Sequence, residues 1–317
     1  MQHTFLFRLD GSSAPVRARF TRAFLLAALL CCVVGVAETN AQSQRSRGAT
    51  IPTPSPTPAP PLLKRTSTRH EVRRLGYGGT FTLYGAPVGS VTIEAWPRNE
   101  VDVTAEIELT ANTEEELARL AAVNNFSLDA DGSHLTLLTT GTHDRKFMKR
   151  AAKDFPKELL TQPWQIDYRI RVPAMIDLEI YAGRGALTIT NVDGAISLNA
   201  GESHAAFTLG GGDFVSTIAG GSVIMRVPAR GWRGRGASMR LARGELTIEL
   251  PANFSGDIDA TVLRAGRIDN NHPAIVAREG VESTERQLRA RAGAGGATLS
   301  FEVGDGVIRI TTAKSDK

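Results

Sequence analysis

Glycines in the second half of the chain fall at Gly185, Gly194, Gly212 and Gly221, intervals of 9, 18 and 9 residues. A residue without a Cβ at a fixed spacing marks a backbone that must turn, or pass close to another backbone, at regular intervals. Nine residues accommodate one short strand and one turn, so the spacing predicts a coiled sheet in which each turn stacks on the last. Glycine supplies 31 of the 317 residues, above the usual ~7%, which favours turn-dense β structure over a helical bundle. Three strand patterns, Ile166 to Val172, Ser222 to Val227 and Leu246 to Leu250, stop at the same Pro-Ala signal: Pro173-Ala174, Pro228-Ala229 and Pro251-Ala252. The expected fold class is all-β, a solenoid-like repeat of short strands with glycine corners plus one or two short helices. The period loosens after Val227, which keeps a β-sandwich or β-prism as the alternative.

The first segment sets the compartment. Arg17, Arg19 and Arg22 precede an apolar run from Ala23 to Ala37, followed by the polar residues Glu38 to Gln42. That order is the order of a secretory signal peptide, and Ala41 offers a small residue for cleavage. The run is shorter than the roughly 20 residues of a membrane-spanning helix, so a cleaved signal over residues 1–41, with no transmembrane helix left afterwards, is expected. Both cysteines, Cys31 and Cys32, lie in this run, so the mature chain is expected to have neither disulfides nor a cysteine nucleophile. Cleavage removes four arginines, one aspartate and one glutamate, and the formal net charge falls from +4 to about +2. A nearly neutral chain does not carry the electrostatic footprint of a nucleic-acid binder.

Residues 42–61 form a linker. Six prolines between Pro52 and Pro61 alternate with Thr, Ser and Ala, a composition that gives extended polyproline II rather than a packed core. The remainder, 62–317, reads as one β domain in three parts: about 72–140 with a helix, a helical insertion at 141–163, and a repetitive part at 164–317. In the first part Thr80 to Leu83, Val91 to Ala95 and Val101 to Leu109 alternate apolar and polar residues, the period of half-buried strands. Thr113 and Glu116 form a capping-box signature ahead of Leu117, Leu120, Ala121 and Val123. A second, charged helix is expected from Asp144 to Lys153, with Phe147 and Met148 as its apolar side and Pro156 limiting it. Gly280 to Gly296 reads as a surface excursion between strands, with one or two amphipathic helical turns leading into a flexible loop as the other reading.

Three segments, GGTFTLYGAPVGSVTIEAWPRNEVDVTAEIEL, YRIRVPAMIDLEIYAGRGALTITNVDGAISL and GDGVIRITT, together resemble the bacterial "putative adhesin" domain, a domain of unknown function similar to auto-transporter adhesin heads and toastrack-type envelope proteins. The likeness covers most of Val72 to Thr312 and rests on the order of strand-and-glycine patterns. It implies a right-handed β-helix-like fold, an extracytoplasmic location and a role in the cell envelope or in adhesion. It carries over no catalytic residues. The chain departs from it at Gly141 to Pro163 and at an arginine-rich stretch.

No motif in the sequence carries a reaction. The mature histidines, His70, His134, His143, His204 and His272, are not spaced to place two imidazoles on one element. His143-Asp144 and Glu202 with His204 come nearest to ligand pairs. Gly210-Gly211-Gly212 and Gly183-x-Gly185 are not followed by helices, so they read as turns rather than phosphate loops. Asp177, Glu179 and Asp193 are carboxylates of the kind β-helical lyases and hydrolases use, but strand alternation makes them solvent-face residues. Catalytic, metal and cofactor sites are therefore expected to be absent. The one local anomaly is Arg226 to Arg243. It contains Arg226, Arg230, Arg233, Arg235 and Arg240, with Trp232 and no acidic residue. Guanidinium groups bind carboxylate, sulfate and phosphate in two-point contacts and an indole stacks on a sugar, so this stretch is the candidate anion or glycan site. Its alternative is a solvated turn whose arginines pair with Glu245, Glu249 or Asp213.

The expected function is that of an exported, non-catalytic envelope or adhesin-like protein, resident in the periplasm, the outer envelope or outside the cell. It would act by surface binding to anionic polysaccharide, lipopolysaccharide or envelope proteins. The competing readings are a carbohydrate-active enzyme on a β-helix and a periplasmic envelope-stress sensor or scaffold.

Overall fold

The computed structural model describes residues 62–85, 87–280 and 282–313; the expected signal peptide at 1–41 and the linker at 42–61 lie outside them. Strands β1 (Leu63–Arg74), β2 (Thr80–Tyr84), β3 (Val91–Trp96) and β4 (Glu100–Ala111) lead into helix α1 (Glu114–Val123). After β5 (Asn125–Asp131) and β6 (His134–Thr140) come helix α2 (Arg145–Ala151), a 3-10 turn (Lys157–Thr161) and β7 (Trp164–Pro173). Then follow β8 (Asp177–Ala182), β9 (Gly185–Thr190), β10 (Ala195–Thr208), β11 (Gly211–Arg226) and β12 (Arg233–Leu250). The chain ends with β13 (Gly256–Val262), β14 (Gly266–Asn270), β15 (Val276–Ala277), β16 (Gln287–Ala292) and β17 (Thr298–Thr312). Among the described residues these strands form one hydrogen-bonded network, and the all-β expectation holds.

The network is a stack of parallel rungs, each contributing one strand segment to each of two columns. In the first column β6, β2, β8, and the leading halves of β10, β11, β12 and β17 lie side by side, followed by β13. In the second, β7, β3, β9 and the trailing halves of β10, β11, β12 and β17 do the same, followed by β14. Side chains of equal register therefore pile into ladders. Leu178, Ile196, Phe214, Ala237, Leu299 and Ile258 form one, and Leu187, Ala205, Val223, Leu246 and Ile308 another, all buried. Each large apolar member contributes roughly 1.5–3 kcal/mol on leaving water. The rungs do not follow chain order throughout: β17 inserts between β12 and the β13–β14 rung, so the C-terminal strand closes the core.

The glycine period has a specific cause. Leu178, Ile196 and Phe214 stack at intervals of 18 residues, so one rung spans two nine-residue halves with a corner between them. Pro228 to Trp232 intervene before β12 starts, which accounts for the looser spacing after Val227. The strands are also longer than the expected short segments: β10, β11, β12 and β17 hold 14, 16, 18 and 15 residues and bend through the corner without leaving the ladder. Gly221, Gly244 and Gly306 occupy equal register just past that corner, with φ of 120°, 130° and 145°. A Cβ on Gly244 would overlap the Gly221 carbonyl, and one on Gly306 would overlap the Gly244 carbonyl. Both the backbone angle and the close approach demand glycine there.

The ends of the stack are finished with antiparallel pairing. β5 pairs with β6, while β4 pairs with β7 and β1 with β4. Helix α1 covers β4 with buried Leu117 and Leu120. Its N-cap is as expected, since the Thr113 side chain accepts from the Glu116 N–H, but the Glu116 carboxylate accepts from the Asn112 N–H rather than that of Thr113. At the other end β16 pairs with β13, which corrects the helical reading of Gly280 to Gly296. Leu288, Ala290 and Ala292 alternate with Arg289 and Arg291, and burial follows the same period of two. Buried Asp257 on β13 holds this end: Arg291 Nε stands 2.8 Å from its carboxylate and an Arg278 Nη stands 3.0 Å away. The Arg291 hydrogen bond is the main cause holding the Asp257 carboxyl below the usual carboxylate range, and the Arg278 charge adds to it.

Two outcomes follow for stability. Gly244→Ala is expected to lose roughly 3 kcal/mol in denaturant unfolding, combining a disfavoured φ with a backbone clash. Gly132→Ala, at a left-handed turn with open space around it, should lose only about 1 kcal/mol. Equal losses would remove the close approach from the account. Asp257→Asn is expected to destabilise the protein by about 1 kcal/mol at neutral pH. The lowered folded-state value makes this contribution complete above the ordinary carboxylate value, about pH 4, and lost as pH falls from there through the lowered folded-state value. Thermal unfolding of variant and parent should converge in acid, and a pH-independent gap would contradict the assignment.

Candidate functional site

The arginine stretch is distributed rather than gathered. Arg226 closes β11 in the second column, with its Nε 2.7 Å from Glu249, its register partner on β12. Arg240 lies in the first column, 3.8 Å from Glu302. At the start of β12 Arg233 makes a two-oxygen contact with Asp193 at 3.0 and 3.1 Å, and Arg235 stands 3.4 Å from Asp213. The pairing expected for the solvated alternative is therefore present for Arg226 and Arg235, while Glu245 pairs with Arg309. Trp232 is only 7% exposed and its Nε1 donates to the Gly212 carbonyl at 3.0 Å, so its ring packs in the core rather than facing a ligand. Arg230 is exposed and pairs with no carboxylate among the described residues. Exposed ion pairs hold their partners by only about 0–1 kcal/mol, and Arg235, with 88% of its side chain exposed, stays open to exchange.

The candidate ligand residues also have local partners. Glu202 pairs with Arg243, while His204 Nδ1 is 2.7 Å from Ser222 Oγ, so the two side chains serve separate contacts. Asp177 accepts from the Ala195 N–H and Glu179 from Thr82 Oγ1. Among the described residues no three His, Cys, Asp or Glu side chains stand together as a metal site.

A concave site lies instead in the helical insertion. Asp144 caps α2, accepting from the N–H groups of Lys146 and Phe147 at 2.8 and 3.0 Å. The bond from Phe147 is the main cause that lowers its carboxyl pKa, and the one from Lys146 adds to it. The helix ends at Ala151, earlier than the expected Lys153, and the chain returns through Phe155, Pro156 and the 3-10 turn. Between helix and turn opens a groove of about 790 Å³. Met148, Ala152, Phe155 and Leu160 supply its apolar surface. Arg145, Lys149, Lys153 and Lys157 supply its charge, and among the described residues no carboxylate lines it. None of these four cations pairs with a carboxylate among the described residues. His143 stands at the edge, its ring 5.3 Å from that of Trp164. Partial loss of water around the imidazole lowers its pKa, and the Asp144 charge opposes this more weakly.

Sequence reasoning found the helix and its apolar pair but not the groove. The signal was present: the four cations recur at steps of four, 145, 149, 153 and 157, beside apolar residues at 148, 152 and 155. Pro156 concealed it, because a periodic pattern crossing a proline does not read as one face.

No family model matches the chain, and no curated protein matches it. Solved structures with some likeness include one described as a "putative cell adhesion protein" from Clostridium sporogenes ATCC 15579, with a TM-score of 0.39 and 11% identity, covering 78% of this chain and 100% of that one. A "putative adhesin" from Bacteroides fragilis NCTC 9343 has a TM-score of 0.24 and 11% identity, covering 78% and 97%. A "putative lipid binding protein" from Parabacteroides distasonis ATCC 8503 has a TM-score of 0.21 and 9% identity, again covering 78% and 97%. No family assignment follows from likenesses of this size.

Proposed function

We propose that this chain is an exported, non-catalytic envelope protein in which a β-solenoid presents a binding surface for an anionic envelope component, and that the groove of the helical insertion is that surface. The observation that carries the reading is the contrast in charge pairing. Arg226, Arg233, Arg235, Arg240 and Arg243 on the rungs face carboxylates, whereas Arg145, Lys149, Lys153 and Lys157 line an apolar floor with no carboxylate among them. Unpaired cations around a concave surface raise the local concentration of anions and complement a partner of opposite charge. Export is supported by the basic, apolar and polar order of residues 17–42. The absence of catalysis is supported by the structural partners of Asp177, Glu179 and Asp193.

The arginine stretch is the second reading, favoured by the exposure of Arg230, Arg233 and Arg235. Retention on an immobilised sulfated glycan separates the two. The groove reading expects Lys149→Glu with Lys153→Glu to elute at clearly lower salt, since every lysine that no longer pairs with a sulfate lowers the slope of the salt dependence by about one unit. It expects Arg230→Ser, Arg233→Ser and Arg235→Ser together to leave elution nearly unchanged. The reverse pattern would move the site to the arginine stretch.

A further inference from the structure

We infer that the groove between α2 and the 3-10 turn binds an acyl chain that ends in a phosphate-bearing headgroup, that is, an anionic phospholipid. The inference rests on the functional reading above and names the ligand class for that groove.

Four observations converge on it. The groove's volume, about 790 Å³, falls within the roughly 300–1,000 Å³ usual for small-ligand sites. Its floor is largely apolar: Met148, Ala152, Phe155 and Leu160 provide apolar area, with Thr142 and Thr161 the hydroxyls among the lining residues. The unbranched, polarisable Met148 side chain adapts to a flexible chain. Cations edge that floor, and long lysine stems lie along apolar surface while their ammonium groups reach water, which matches a ligand apolar at one end and anionic at the other. Finally, helix stability does not explain the charge. Lys149 and Arg150 in the last turn of α2 suit the helix dipole, but Arg145 and Lys146 stand in its first turn, where cations are disfavoured by the same dipole. Arg145 lines the groove all the same.

The headgroup follows from the number of cations. Four cations with no carboxylate among the lining residues call for an anion; lysines act on a phosphate as point charges, and the Arg145 guanidinium fork matches its unesterified oxygens. Leu160 is 38% exposed, an apolar side chain left open to water where nothing within the described chain covers it.

The test titrates the intact mature chain with four probes, each followed by calorimetry: lysophosphatidylglycerol and lysophosphatidylcholine, both below their micelle concentrations, glycerol phosphate, and heparin. The inference expects saturable binding of lysophosphatidylglycerol, with lysophosphatidylcholine and glycerol phosphate each weaker by about tenfold or more. Leu160→Glu, and separately Lys149→Glu with Lys153→Glu, should each weaken lysophosphatidylglycerol about tenfold while circular dichroism and thermal unfolding stay those of the parent. All three positions are exposed, so these variants keep the core. Equal affinity for the two lysolipids would overturn the charge recognition, and equal affinity for glycerol phosphate would overturn the acyl part. Heparin binding without lysophosphatidylglycerol binding overturns this inference and leaves the anionic-surface reading standing; binding of none of the four probes overturns both.

Discussion

The backbone packing of one rung on the next at the glycine corners is the constraint from which the rest of the structure follows. Where Gly221, Gly244 and Gly306 lie in register, each rung turns at a positive φ and brings its backbone against the carbonyl of its neighbour. Glycine allows the turn without breaking the parallel ladder, so β11, β12 and β17 run from one column into the other as single strands. Inward side chains then align rung on rung, and Phe207 can meet Phe214 across the interior with ring centroids 5.2 Å apart. Outward side chains align as well, and this brings Arg226 to Glu249 and Arg240 to Glu302. The pairing of Arg226 and Arg240 is thus a by-product of the register, while Arg233 and Arg235 reach Asp193 and Asp213, which are not their register partners.

A stack of this kind has few places for a ligand. Its outer faces carry ion pairs, small polar residues and exposed apolar side chains such as Val215 and Ile224, and its described interior is packed with buried apolar side chains. The cationic groove lies where the chain leaves the rungs, between β6 and β7, and there the sequence changes character: residues 141–163 hold six cations and three carboxylates. The rungs anchor the excursion through Leu159, which is buried in the core cluster, and through Asn124, whose side-chain oxygen accepts from the Thr142 N–H at 2.9 Å. Binding chemistry on an insertion carried by a rigid scaffold is the usual division of labour between regular structure and loops.

Much of the fold was legible in the residues, and the reasons are specific. Alternation gave β2, β3 and β4 nearly to the residue because half-buried strands impose a period of two. The capping signature at Thr113 placed α1 for the same kind of local reason. The glycine spacing announced regular corners. Three features were not legible, each depending on partners distant in sequence. The insertion of β17 between β12 and β13 is a matter of which edge the C-terminal strand fills. The fate of Trp232 turned on whether its indole found a buried acceptor, and the Gly212 carbonyl provides one. In the groove, lysines on either side of Pro156 come together only when the chain doubles back.

Hydrogen–deuterium exchange of the intact chain, with and without lysophosphatidylglycerol, distinguishes recognition at the excursion from recognition at the arginine stretch. With recognition proposed at the excursion and stability carried by the rungs, added protection should be confined to residues 142–161 while the rung amides and residues 226–243 exchange as before. Protection centred on 226–243, with 142–161 unchanged, would contradict it.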